Sequence, residues 1–204
     1  KKYIEAKNID KFSVGTIRFL EWDTPRVPKL ISRPTFNELY ENDKVIINKI
    51  GTIKATFDDE HIYCDQTIRV CVLWNDLNGV ENKSINNSVT RYSNFGREYL
   101  ESNSEKFDLK YLLATLNSKF VAYIFDNIRG VGNIDINPDY IKKIPIPIID
   151  KTAQKPYINL VDKILTSKKS DPKADTLALE NQIDQMVYKL YKLTYDEVKV
   201  IDPE

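Results

Sequence analysis

Residues 144–148, Ile-Pro-Ile-Pro-Ile, restrict this chain more than any other segment. A proline fixes φ near −65° and has no backbone N–H to donate, so two at alternate positions exclude both an α-helix and a central strand. The segment must run as an extended connector, and it marks the main boundary in the chain. The hydrophobic pattern differs on its two sides, and with it the structure each side can form.

Immediately ahead of the connector, Leu109, Leu112, Leu113, Leu116, Phe120, Tyr123 and Ile124 recur at helical spacing, with Asp108 placed as an N-cap and Gly130 placed as a stop. One helix over about Asp108 to Asn127 is expected. Beyond the connector, Ile158, Val161, Ile164 and Leu165 repeat the pattern over 156–167, as do Leu179, Ile183, Met186, Val187 and Leu190 over 175–193. These predict a helical hairpin that turns at 168–173. The first hundred residues have another rhythm. Runs rich in β-branched residues at 44–50, 52–57 and 62–74 predict strands, Gly51 ending the first and Asp58-Asp59-Glu60 turning between the last two. Thr24 to Pro34 holds three prolines and should be extended and irregular, with a short helix following near 36–40; residues 75–104, rich in Asn, Ser and Gly, read as a long polar loop. Strands joined by hairpin turns without βαβ alternation predict an α/β class of the α+β kind. Its parts are a mixed, largely antiparallel sheet lobe over 1–104, the long helix and connector over 105–149, and a C-terminal helical part over 150–204.

Charge narrows the function classes. Lys plus Arg equals Asp plus Glu at 30 each, which excludes a protein that coats nucleic acid through overall charge and leaves room for a local basic face. The apolar stretch around 109–125 is interrupted by Asn117-Ser118-Lys119, so nothing approaches the roughly 20 apolar residues of a membrane span. Cys64 and Cys71 are too few and wrongly spaced for a disulfide framework or a zinc knuckle. In one strand their odd separation would point them to opposite faces, and a cytoplasmic setting is expected. The opening Lys1-Lys2-Tyr3, with no signal core or transit pattern, reads as mid-domain sequence, so a fragment of a larger polypeptide is expected.

Catalytic patterns are thin. Asn137-Pro138-Asp139-Tyr140 approaches the Asn-Pro-Pro-Tyr loop with which amino-methyltransferases grip a flipped base, but it lacks the second proline. No glycine-rich turn precedes it to hold S-adenosylmethionine; an Asn N-cap with Pro at the first helical position is the better account. Asp139 with Glu197 and Lys199, or Glu5 with Lys7, make loose nuclease-like sets whose spacing favours solvated charges. His61 is the single histidine, expected at a turn end, so a two-histidine metal site is excluded. The positive signal is basic residues on turns and irregular segments: Arg18, Arg26, Lys29 and Arg33 about the prolines, Lys49 and Lys54 flanking Gly51, and Arg69, Arg91 and Arg97.

Three stretches together resemble a known family. Residues 44–59 (KVIINKIGTIKATFDD) are similar to its core strand pair. Residues 111–120 (YLLATLNSKF) look like its signature "YLLALLNSK" helix. Residues 141–147 (IKKIPIP), with the helix after them, are similar to the segment that closes its recognition domain. The family is the TaqI-like C-terminal specificity domain of type IIG restriction-modification enzymes and related adenine-specific DNA methyltransferases. The likeness covers nearly the whole chain and rests on the order and spacing of the three stretches. It implies a target-recognition domain over 1–149 whose variable loops read double-stranded DNA, with no catalytic residue, metal or cofactor of its own. The methyltransferase and nuclease motifs, with S-adenosylmethionine and magnesium, are expected in upstream domains of the same polypeptide, a site-specific adenine methyltransferase with or without endonuclease activity. The alternative from another class is a protein-interaction module that docks a methyltransferase or nuclease subunit, as in type I specificity subunits. Within the DNA reading, Arg26, Lys29 and Arg33 are expected to contact DNA from the proline-rich loop and Lys49, Lys54 and Arg69 from or beside the strands. Guanidinium forks suit guanine O6 and N7, and lysines suit phosphates.

Overall fold

The computed structural model describes residues 1–26, 36–64, 67–91, 94–130 and 132–203. The first strands are short: β1 (Lys2–Ile4), β2 (Ile9–Asp10), β3 (Ser13–Val14) and β4 (Arg18–Phe19). After helix α1 (Glu38–Glu41) come β5 (Lys44–Ile47), β6 (Ala55–Asp58), β7 (Tyr63–Cys64) and β8 (Arg69–Cys71). They form a β4-β1-β7 sheet, a β2-β3 hairpin and a β6-β5-β8 sheet, antiparallel throughout except where β1 meets β7. The helices that follow make this an α+β fold.

The sequence explains why β5 is central. Val45-Ile46-Ile47 is β-branched and lies against apolar side chains on both faces of the strand, a period-2 arrangement. Val45 and Ile47 face the larger apolar core with Ile53, Leu113 and Val161, while Ile46 faces a smaller one with Ile4, Ile9, Ile62 and Ile68. Lys44 opens the strand opposite Asp58 of β6, and both side chains are buried. Its Nζ lies 2.5 Å from Asp58 Oδ2 and donates to the Tyr40 carbonyl at 2.8 Å. The carboxylate also accepts from the Glu60 and Ile62 amides, each at 2.9 Å, so both buried charges have hydrogen-bond partners beyond each other.

The strand expectations need correction in length and pairing. The predicted run 62–74 is two short strands in different sheets, and β6 pairs with β5 rather than with the strands that follow it. Asp58-Asp59-Glu60 is therefore a side-chain-capped turn between sheets. Cys64 and Cys71 lie in separate strands, not in one, and neither is in a disulfide. The Cys71 thiol packs on the larger core, where burial pushes its pKa up to about 11.

The expected polar loop at 75–104 is also corrected. It contains a 3₁₀ turn (Trp74–Leu77) and helices α2 (Lys83–Arg91) and α3 (Arg97–Ser104). Ile85 is the single buried residue of α2, too little apolar content to show as a periodic stripe. The long helix is two: α4 (Leu109–Leu116) and α5 (Lys119–Arg129). Asp108 caps the first, accepting from the Lys110 amide, and Gly130 at φ 80° ends the second. The break has a chemical cause. Asn117 turns its amide onto β6, accepting from Ala55 N and donating to Ala55 O at 2.9 Å each, and Ser118 recaps the chain by accepting from Val121 N.

Asn137 caps α6 (Pro138–Ile141), accepting from the Asp139 amide with Pro138 in the first turn. Residues 145–150 form neither helix nor strand, in keeping with the prolines. The Tyr111 hydroxyl donates to the Pro147 carbonyl at 2.8 Å, and Tyr191 does the same to Pro145. Asp150 then caps α7 (Lys151–Ser170), which packs with α8 (Leu177–Leu190) and α4. A further helix, α9 (Tyr195–Ile201), starts with a Thr194/Glu197 capping box, so Glu197 is engaged in a cap. The larger apolar core includes residues on both sides of the connector. Among the described residues no helix is long and apolar enough to cross a membrane.

Candidate nucleic-acid interface

The β5–β6 connection is ordered from within by Asn48. Its Nδ2 donates to the carbonyls of Ile50 (2.8 Å) and Thr52 (2.9 Å), and its Oδ1 accepts from Lys54 N (2.8 Å). Gly51, at φ 89°, supplies the left-handed turn that a side chain would strain. A second segment, 132–136, lies alongside. Gly51 N donates to Ile134 O at 2.9 Å, Ile136 N donates to Lys49 O at 2.6 Å, and Ile50 bridges to Asp135. Two arginines lock the pair: Arg129 Nη1 donates to Gly51 O at 2.7 Å, and Arg69 Nε donates to Ile136 O at 2.9 Å. Lys49, Ile50 and Lys54 are thereby held at the surface on a braced scaffold; Ile50 is 58% exposed.

The six expected DNA contacts fall into four groups. Lys49 and Lys54 come together beside a depression of about 520 Å³, whose walls include Lys7, Ile9, Ile50 and Thr67. Arg69 is a brace: its side chain is 21% exposed and its guanidinium is directed at Ile136 and Asp135. Arg26 is exposed and forks onto Glu21, its Nε donating to Oε2 at 3.0 Å. The guanidinium and the Thr24 hydroxyl hold the Glu21 carboxyl below its usual range. Lys29 and Arg33 lie outside the described residues.

The lysines beside the depression have carboxylate neighbours. Lys54 pairs with Asp10 at 3.1 Å and Lys7 with Glu5 at 2.8 Å. Burial pushes the Asp10 carboxyl upward, but the Lys11 amide, Lys54 and Lys168 outweigh it and leave the group below its ordinary value. Sequence reasoning missed two kinds of residue here. Lys7 reads in the sequence as half of a solvated pair with Glu5, and only the tertiary approach of residues 6–9 to the β5–β6 loop brings it beside Lys49. Asn48 and Arg129, which order the scaffold, carry no sequence signal because their targets are main-chain carbonyls.

Another depression, of about 580 Å³, has Glu41, Asp43, Asp76 and Asp108 on its walls together with Lys110 and Lys151. Burial and the neighbouring Asp43 raise the Asp76 pKa there. His61, at φ 56°, sits on the edge of this depression, 3.7 Å from Glu41. The residues of the Asn-Pro-Asp-Tyr segment have structural partners: Asn137 in its cap, and Tyr140 near Asn133 and Lys143. No group of three or more potential metal ligands occurs among the described residues. No protein-family model matches this chain, and no curated protein matches it.

Proposed function

We propose that this chain is a target-recognition domain that binds double-stranded DNA sequence-specifically for a restriction-modification methyltransferase, as part of a larger type IIG-like cytoplasmic enzyme. The observation that carries the proposal is the braced β5–β6 loop, which presents Lys49 and Lys54 from a fixed backbone. Preorganised cations lose little conformational entropy on meeting phosphates. The resemblance of residues 44–59, 111–120 and 141–147 to TaqI-like specificity domains supports the same reading. On it, methyl transfer to adenine, S-adenosylmethionine binding and any magnesium-dependent cleavage belong to upstream domains, and the present chain positions the target. Arg26, with Lys29 and Arg33, reads bases, while Lys49 and Lys54 hold phosphates. Arg69 acts by holding residues 135–136 rather than by direct contact.

A mobility-shift titration against cognate and scrambled duplexes at several salt concentrations tests this. Cognate binding should fall with salt at a log–log slope of about −0.9 per phosphate contact. Arg26→Ala should relax preference, and Lys49→Ala or Lys54→Ala should weaken all duplexes alike. Absence of duplex binding by the folded chain would sink the proposal. The second reading, a module that docks a protein subunit, is favoured by Leu177, Tyr195 and Val200, which are 61%, 72% and 64% exposed on the C-terminal helices. Its signature is capture of a methyltransferase or nuclease subunit with no DNA present.

A further inference from the structure

We infer that the depression between Lys7, Lys49 and Lys54 is a seat for one backbone phosphodiester of nucleic acid, which adds Lys7 and Thr67 to the DNA face. This rests on the proposed function and extends it to residues that the sequence did not place on the DNA face. Three lysines from two chain segments border one concavity, with Thr67 also on its wall. Lys49 makes no ion pair among the described residues.

The pairs made by the other two lysines are built to open. Glu5 is shared between Lys7 at 2.8 Å and Arg18 at 2.7 Å, so releasing Lys7 leaves its carboxylate on Arg18. Asp10 is held by Lys54 and feels Lys168 as well, so releasing Lys54 does not strand it. Lys7 is 69% exposed and Lys54 45%, and surface pairs of this kind contribute little net stability. A phosphate entering the concavity can therefore take both lysines while Glu5 stays paired with Arg18 and the exposed Asp10 keeps the Lys11 amide and water. Ile9 and Ile50 give the same concavity apolar wall, suited to the sugar that flanks a phosphodiester and without use for a free anion.

The test uses the ¹⁵N-labelled chain and variants Lys7→Gln, Lys49→Gln and the remote control Lys189→Gln, with a short non-cognate duplex and, separately, inorganic phosphate as probes. Duplex should shift the amide signals of Lys7, Lys49, Lys54 and Thr67. Lys7→Gln and Lys49→Gln should each make the log–log salt slope shallower, with loss of this one phosphate contact accounting for at most about 0.9 in total and site preference unchanged, while Lys189→Gln leaves the slope alone. Duplex binding with shifts elsewhere and an unchanged slope in Lys7→Gln overturns the seat and leaves the proposed function standing. Phosphate shifting these signals as strongly as duplex does at equal concentration overturns the nucleic-acid assignment in favour of a small-anion site. No response to duplex anywhere overturns the proposed function and the seat together.

Discussion

Asn117 does with one side chain what a neighbouring strand would do with its backbone: it answers both the N–H and the C=O of Ala55. The Ala55 carbonyl also accepts from Phe12 N at 2.8 Å, so it keeps a partner if Asn117 is lost, whereas the amide does not. Asn117→Leu should therefore destabilise by about 1–3 kcal/mol, the cost of one buried donor left unsatisfied, read from urea denaturation. Asn117→Asp should be no better, because it keeps the acceptor but sets a carboxylate oxygen against the carbonyl. Lys44 poses the sharper case. Removing one member of a buried pair strands the other's charge, so Lys44→Met should destabilise by about 3–5 kcal/mol. A loss under about 1 kcal/mol in the same measurement would show that Asp58 finds compensation in the Glu60 and Ile62 amides alone.

Between elements, the Glu60 turn ties the first strand to the longest helix. Its carboxylate accepts from Lys2 of β1 at 2.6 Å and from Lys169 of α7 at 3.3 Å. The bonds from Lys2 and then Lys169 outweigh desolvation and hold the Glu60 carboxyl below its ordinary 4.5, while the bond to Glu60 raises Lys2 above 10.5. A carboxyl depressed in the fold contributes stability above its unfolded value and loses it as pH falls through its folded value. A raised amine contributes below its unfolded value and loses it as pH rises through its folded one. Wild type should thus lose urea stability more steeply than Glu60→Gln as pH drops from about 5 to about 3, and the two curves should converge at the acid end. Parallel curves would show that the contacts are too well solvated to matter. Elements were legible in the sequence where one apolar stripe or one punctuating residue decides them, as at Asp108, Gly130, Asn137 and the two prolines. They were illegible where the cause is tertiary. The helix break comes from Asn117 reaching a strand 62 positions away, and α2 hides because Ile85 is its sole anchor. In the candidate site, Lys49 and Lys54 could be read beside Gly51. Lys7 joins them only through folding, and Arg69 carried no local mark that separates a brace from a contact.

At the scale of the whole molecule, the C-terminal helices complete the core rather than decorate it. Ile183 and Val187 of α8 are 2% and 0% exposed, in the same cluster as Ile47 and Ile53 from the sheet side and Val161 and Ile164 from α7. Asp184 of α8 accepts from Lys119 N at the start of α5, and Tyr157 donates to the Met186 carbonyl. Burying each such apolar side chain contributes about 1.5–3 kcal/mol, a large share of the roughly 5–15 kcal/mol that holds a domain together. A chain ending at Ser170 should therefore show no cooperative thermal transition by near-ultraviolet circular dichroism, and a transition as sharp as that of the full chain would mean that the helices fold apart. The loops of the proposed DNA face are secured differently, by bonds from Asn48, Arg69 and Arg129 to main-chain carbonyls, which every amino acid possesses. Side-chain identity at positions 49, 50, 52 and 134 is thus uncoupled from the scaffold that presents it. Such a surface is open to evolutionary drift and to grafting: residues exchanged there alter what is read while the frame that does the reading stays intact.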